Sequence, residues 1–236
     1  SDFMLQKPIN GVPATEFLWD RKKVVPFQSL SLPLAPETDG VRLIQADEAE
    51  IDFWLRKAKA ANAFGTKARA LVRLPLLKGI KAIVSQQIAI ARQARAMGLT
   101  AVLHIEVDIN SPAKAGCEQL LVRTLMEAMD HLDPSESFML VLTLPTTPNL
   151  YLSLVQHPNV IRVAALSGGY SRADACKMLA ENVGVVGGFG RAFTEDLTDE
   201  QSEDDFSSIL AECRASIFGA SSPVTDRRWQ AAKMRS

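Results

Sequence analysis

The sequence predicts an α/β protein built on a parallel sheet. Three observations lead there. Strand-like apolar runs alternate with helical patterns along the whole chain, as in βαβ architectures. The runs around residues 141 and 163 are almost wholly apolar, as strands covered on both faces are. Two late strands end in glycines, at Ser167-Gly168-Gly169 and at Gly187-Gly188-Phe189-Gly190-Arg191. Glycine reaches φ > 0 and lets the backbone approach a ligand. A helix starting just after such a turn offers free N–H groups to a phosphate.

Tandem βα units ending in glycines, the second with an arginine, fit the phosphate site after the last two strands of a (β/α)8-type barrel. The alternative is that the glycines only make tight turns. The chain has 236 residues, enough for one such barrel or for one to two smaller domains. With 47% hydrophobic and 22% charged residues, it has the composition of a soluble globular protein with a sizeable core. A net charge of −1 gives no global pull toward nucleic acid or a membrane surface. Cys117, Cys176 and Cys213 fall in helical patterns without a CxxC pair, which argues against a disulfide framework and against bound metal. No apolar run is long enough to span a membrane. The chain begins Ser-Asp-Phe, as a processed protein or a trimmed fragment would, and no compartment is singled out: cytoplasm, plastid and mitochondrion all stay open.

Taken in order, residues 3–5 and 24–27 are strand candidates, the second followed by an irregular stretch with Pro33 and Pro36. Residues 47–61 read as a helix with Ile51, Trp54, Leu55 and Ala58 on one stripe. Residues 64–74 carry a strand in which Lys67 and Arg69 share a face. Pro75 opens a long helix that Gly98 stops. Residues 99–109 form a strand with His104, Glu106 and Asp108 on one side. A helix at 113–131, a strand at 138–144, a short helix within 145–156 and a strand at 160–166 follow. A helix at 172–181, a strand near 186 and a helix at 199–218 complete the pattern. That makes seven strands, one short of a closed barrel. Residues 1–218 therefore read as the barrel, and 219–236 as a polar tail with four basic residues after Asp226 and one large aromatic, Trp229. The tail is either disordered or a docking segment.

The segments FGTKARA (64–70), LTLPTTPNLY (142–151) and HPNVIRVAALSGGYSR (157–172), with the Gly190-Arg191 turn, resemble the short, bacterial-type class I fructose-bisphosphate aldolases. The resemblance runs from about residue 14 to about residue 221. It implies a TIM barrel that cleaves fructose 1,6-bisphosphate through a lysine Schiff base, without metal or cofactor. A lysine amine attacks the ketone, and the iminium serves as an electron sink for breaking the C–C bond. A glutamate moves protons, and further basic groups bind phosphate.

Carried across, the imine-forming lysine falls on Val141 and the proton-moving glutamate on His104. A second glutamate persists as Glu106, and a lysine after an early strand falls on Ser29. Lys67 and Arg69 match the family's basic pair. Ser167, Gly168, Gly169, Gly190 and Arg191 match its phosphate cradle, with Arg69 as a further phosphate ligand. The first strand has no counterpart. Valine has no amine, so the expectation is a catalytically inactive aldolase-like protein that keeps a phosphate or phosphosugar site. It would act as an interaction subunit of a larger or homo-oligomeric assembly. The alternative is an aldolase of low or rescued activity, with Lys67 as the amine and His104 as the proton shuttle. Lys67 and Glu106 are equally readable as a plain ion pair.

Overall fold

The computed structural model describes residues 7–221. The strand expected at 3–5 and the Trp229 stretch of the tail lie outside the described residues.

The strands follow from alternation. In β3 (Gly65–Val72), Ala68, Ala70 and Val72 are buried at 0–2% exposure, while Lys67 and Arg69 between them are not. The same period of two runs through β4 (Thr100–Val107), β5 (Phe138–Thr143) and β6 (Val160–Leu166). Leu103, Ile105, Leu140, Leu142, Val163 and Ala165 all point to the helix-covered side. Each large aliphatic side chain buried there contributes about 1.5–3 kcal/mol. Two short strands, β1 (Phe27–Ser29) and β7 (Val185–Gly187), complete a run of six parallel strands in the order β1-β3-β4-β5-β6-β7. β2 (Val41–Arg42) adds antiparallel to the end of β3 and was not expected from the sequence. β1 and β7 do not pair with each other, so the sheet is an arc among the described residues.

Helices connect the strands. In α1 (Glu48–Ala60), the Asp47 side chain accepts from the Glu50 N–H and Glu50 reaches back, a complete capping box. α2 (Leu77–Ala96) and α3 (Lys114–Asp130) cover the centre of the sheet. α4 (Leu152–Gln156), α5 (Arg172–Ala180), α6 (Arg191–Thr194) and α7 (Glu203–Ala220) follow. Three boundaries differ clearly from the sequence reading. The last helix, expected at 199–218, runs from Glu203, capped by Ser202, to Ala220, two residues into the expected tail. The strand expected at 24–27 starts at Phe27, and Val24 and Val25 are exposed. Pro26 has no N–H to give a ladder. The helix expected to open at Pro75 starts at Leu77, because the Leu76 N–H turns back onto the Leu74 carbonyl at 2.8 Å.

The β7 edge is blunted by the chain itself. Val185 N–H donates to the Asn182 carbonyl and Gly187 N–H to Ser221 Oγ at 3.0 Å. Among the described residues, no helix is long and apolar enough to cross a membrane.

Candidate active site and anion cradle

Parallel register aligns the candidate residues on the face away from the helices. Arg69, His104, Val141, Ala164 and Val186 form one row across five strands. Ser29, Lys67, Val102 and Met139 form the row below. Lys67 is the one lysine in any of the seven strands. Val141 sits on this inner face, flanked along β5 by Leu140 and Leu142, both fully buried on the other side.

The polar groups at the β3–β4 end gather around one carboxylate. Glu106 accepts from His104 Nε2 at 3.0 Å and from Arg69 Nη2 at 2.8 Å. Burial opposes the Glu106 charge, but these two hydrogen bonds hold its carboxyl down at about 2. Burial is also the main force on His104, and it lowers the ring's pKa despite the Glu106 partner; Lys67 and Arg69 push the same way. His104 Nδ1 is buried without a hydrogen-bond partner. Burial lowers the Lys67 amine, which Glu106 partly offsets across space. The Lys67–Glu106 ion pair readable from sequence therefore does not form: Glu106 pairs with Arg69 and His104 instead. The same contact leaves Arg69 on a carboxylate rather than on the glycine turn.

The residues expected to form a phosphate cradle lie at the other end of the arc. Gly168 and Gly169 have φ of +67° and +134°, which only glycine adopts cheaply. A Cβ on Gly168 would stand 2.7 Å from Ile109 Cγ2 and 2.9 Å from Thr143 Cγ2. Tyr170 N–H closes the turn onto the Ser167 carbonyl at 3.1 Å. Arg191 reaches across, with Nη2 3.4 Å from the Gly168 carbonyl. Among the described residues, the N–H groups of Gly168, Gly169, Gly190 and Arg191 donate to no acceptor, and Arg191 has no carboxylate partner. The structure thus brings Ser167, Gly168, Gly169 and Arg191 together.

One expectation changes. The N-terminus of α5 is not open to a ligand: Ser171 Oγ accepts from Asp174 N–H, and the Glu195 carboxylate accepts from Arg172 N–H at 3.0 and 3.1 Å. The Arg172 guanidinium pairs with Asp196. Unfilled N–H groups at a helix start favour any nearby anion, and here the chain supplies one.

Sequence reading placed Gln87 on the apolar stripe of the long helix without its bridging role, and missed Lys114 and Glu118 altogether. Gln87 bridges two strands, donating to the Ala68 carbonyl and accepting from His104 N–H. Lys114 and Glu118 form a buried pair at the end of β5. Their i, i+4 spacing was the available signal, but that spacing is commonest on solvated faces. No group of three or more His, Cys, Asp or Glu side chains among the described residues is placed to hold a metal ion.

No protein-family model matches the chain. Over 217 residues it is 40% identical to the class 1 fructose-bisphosphate aldolase of Synechocystis, covering 92% of this chain and 72% of that one. Over 213 residues it is 36% identical to the class 1 fructose-bisphosphate aldolase of Porphyromonas gingivalis, covering 90% and 72%. The fold is similar to a solved fructose-bisphosphate aldolase of Plasmodium falciparum, with a TM-score of 0.68 at 16% identity. That structure covers 92% of this chain, which covers 72% of it. Given such identity over most of both curated relatives, the chain belongs to the class I fructose-bisphosphate aldolase family.

Proposed function

We propose that this chain binds a phosphorylated sugar in the cradle around Gly168 and Arg191 and has given up imine chemistry. The observation that carries this reading is the inner face of β5, where Val141 stands in register with His104 and Ala164 and the strand has no lysine. A Schiff base needs an amine at the reacting carbon. The cradle supports the binding half of the reading: its N–H groups and the Arg191 guanidinium have no internal anion to neutralise them. In this role the chain serves as a subunit of a larger assembly or homo-oligomer, with no nucleic acid or cofactor partner.

A second reading has support in Lys67. Its amine is on the same face, and burial lowers its pKa, as a Schiff-base lysine requires. Residual lyase activity would then run through Lys67 with His104 as the proton carrier. Two measurements separate the readings. Titration calorimetry with fructose 1,6-bisphosphate gives a binding isotherm in the first reading, and its absence removes that reading. A coupled assay for cleavage of the same sugar shows no turnover in the first reading, and turnover that Lys67→Met abolishes establishes the second.

A further inference from the structure

Lys114 and Glu118 are charged residues buried at 8% and 0% exposure, outside the cluster on the inner face. A buried ion pair is weak evidence for stability, because desolvation offsets most of the attraction. What these two groups touch is therefore more informative. Lys114 Nζ donates to Glu118, to the Leu144 carbonyl at 2.8 Å and to Thr146 Oγ1 at 3.1 Å. Glu118 Oε2 accepts from Thr146 N–H at 2.9 Å. Apart from each other, their side chains find hydrogen-bond partners only in the loop just after β5. The same ammonium lies 5.9 Å from the centre of the Tyr170 ring.

Those contacts lead to the glycine turn by two routes. Tyr170 closes the turn by donating its N–H to Ser167. Leu144 N–H donates to the Leu166 carbonyl at 3.0 Å, tying the loop to the strand that carries the turn. Thr143, next to Leu144, is with Ile109 one of the two side chains that a Cβ on Gly168 would meet. Tyr151 holds Thr143 in turn, through a hydrogen bond from its hydroxyl to the Thr143 carbonyl at 2.7 Å.

We infer that Lys114 and Glu118 are positioning residues for the anion cradle, fixing the β5 end and Tyr170 so that the Gly168 and Gly169 N–H groups converge on a phosphate ester. The inference rests on the phosphosugar reading above. The pair touches no ligand; it sets the spacing of the groups that do.

The test separates stability from positioning. Lys114→Met with Glu118→Leu replaces the pair by apolar side chains, which commonly leaves stability near that of the parent. Thermal melts and titration calorimetry with fructose 1,6-bisphosphate, and separately with inorganic phosphate, are run on parent and variant. The expected result is a similar melting temperature with sugar-bisphosphate affinity lower by about tenfold, the loss expected from an interaction of about 1.4 kcal/mol. Parent-like affinity in the folded double variant overturns the inference. Tyr170→Leu and Tyr170→Phe carry the same test if the double variant fails to fold: the ring-less variant should lose several-fold and the phenylalanine variant should not, and equal affinities overturn the inference. A parent that binds neither probe overturns the phosphosugar reading itself, whereas a parent that binds and variants that bind equally overturn only the positioning role.

Discussion

The two ends of the inner face treat their charges in opposite ways. Around β3 and β4, the Glu106 carboxylate is closed off by both His104 and Arg69. Around the glycine turn, four backbone N–H groups and the Arg191 guanidinium have no anionic partner among the described residues. Groups that satisfy one another hold a shape; donors left over are what an anionic ligand meets. In a family member whose β5 carries no lysine, the glycine turn is therefore where an anionic ligand is to be sought.

The largest effect that sharpens this contrast is expected at Gly168. Gly168→Val forces a β-branched residue to φ +67° and drives its Cβ against Ile109 and Thr143. Backbone strain and overpacking together cost about 3 kcal/mol, which for a chain of this size lowers the melting temperature by about 6–12 °C. Phosphate binding is lost with it, and a thermal melt beside a phosphate titration checks both. Next comes Arg191→Ala. It removes the cradle's guanidinium without a buried partner to strand, so affinity for fructose 1,6-bisphosphate falls about 10- to 100-fold, from about 1.5–3 kcal/mol per charged hydrogen bond. The melting temperature stays put; calorimetry showing unchanged affinity would break the comparison.

The closed end has a pH signature instead. The Glu106 carboxyl is held at about 2 against an ordinary 4.5. Its folded value is the lower one, so its stabilisation is complete above about 4.5 and is lost as pH falls through about 2. Glu106→Gln should therefore melt below the parent at neutral pH, with the gap closing in acid; a gap independent of pH contradicts the assignment. His104 shifts stability in the same direction with pH, over a higher range. Burial depresses its folded pKa, so the unfolded chain protonates first as pH drops below 6.5 and stability declines there. The smallest effect is at Glu195. Glu195→Gln weakens the anion at the start of α5 and costs about 0.5–1 kcal/mol, visible as a small shift in denaturant midpoint with phosphate affinity unchanged.

Much of this layout was legible in the sequence. Period-two alternation placed Lys67 with Arg69 and His104 with Glu106, and the observed register puts all four on one face. The glycines announced the turn at 168–169, because no other residue sits there without strain. What stayed hidden depends on contacts between distant segments. Alternation says that Lys67 and Arg69 face the same way, but not which of them reaches Glu106. Nothing local marks Glu195 as the residue that fills the start of α5, 23 positions before it in the chain. Lys114 and Glu118 read as a solvated helical pair until the loop after β5 is seen closing over them.

The inner face of β5 offers no amine to a ketone. Incubation with dihydroxyacetone phosphate and sodium borohydride, followed by mass spectrometry of the intact chain and its peptides, tests it most directly. The expected result is an unmodified mass and no adduct on any lysine. A reduced adduct on Lys67 would contradict it and make this chain an imine-forming aldolase.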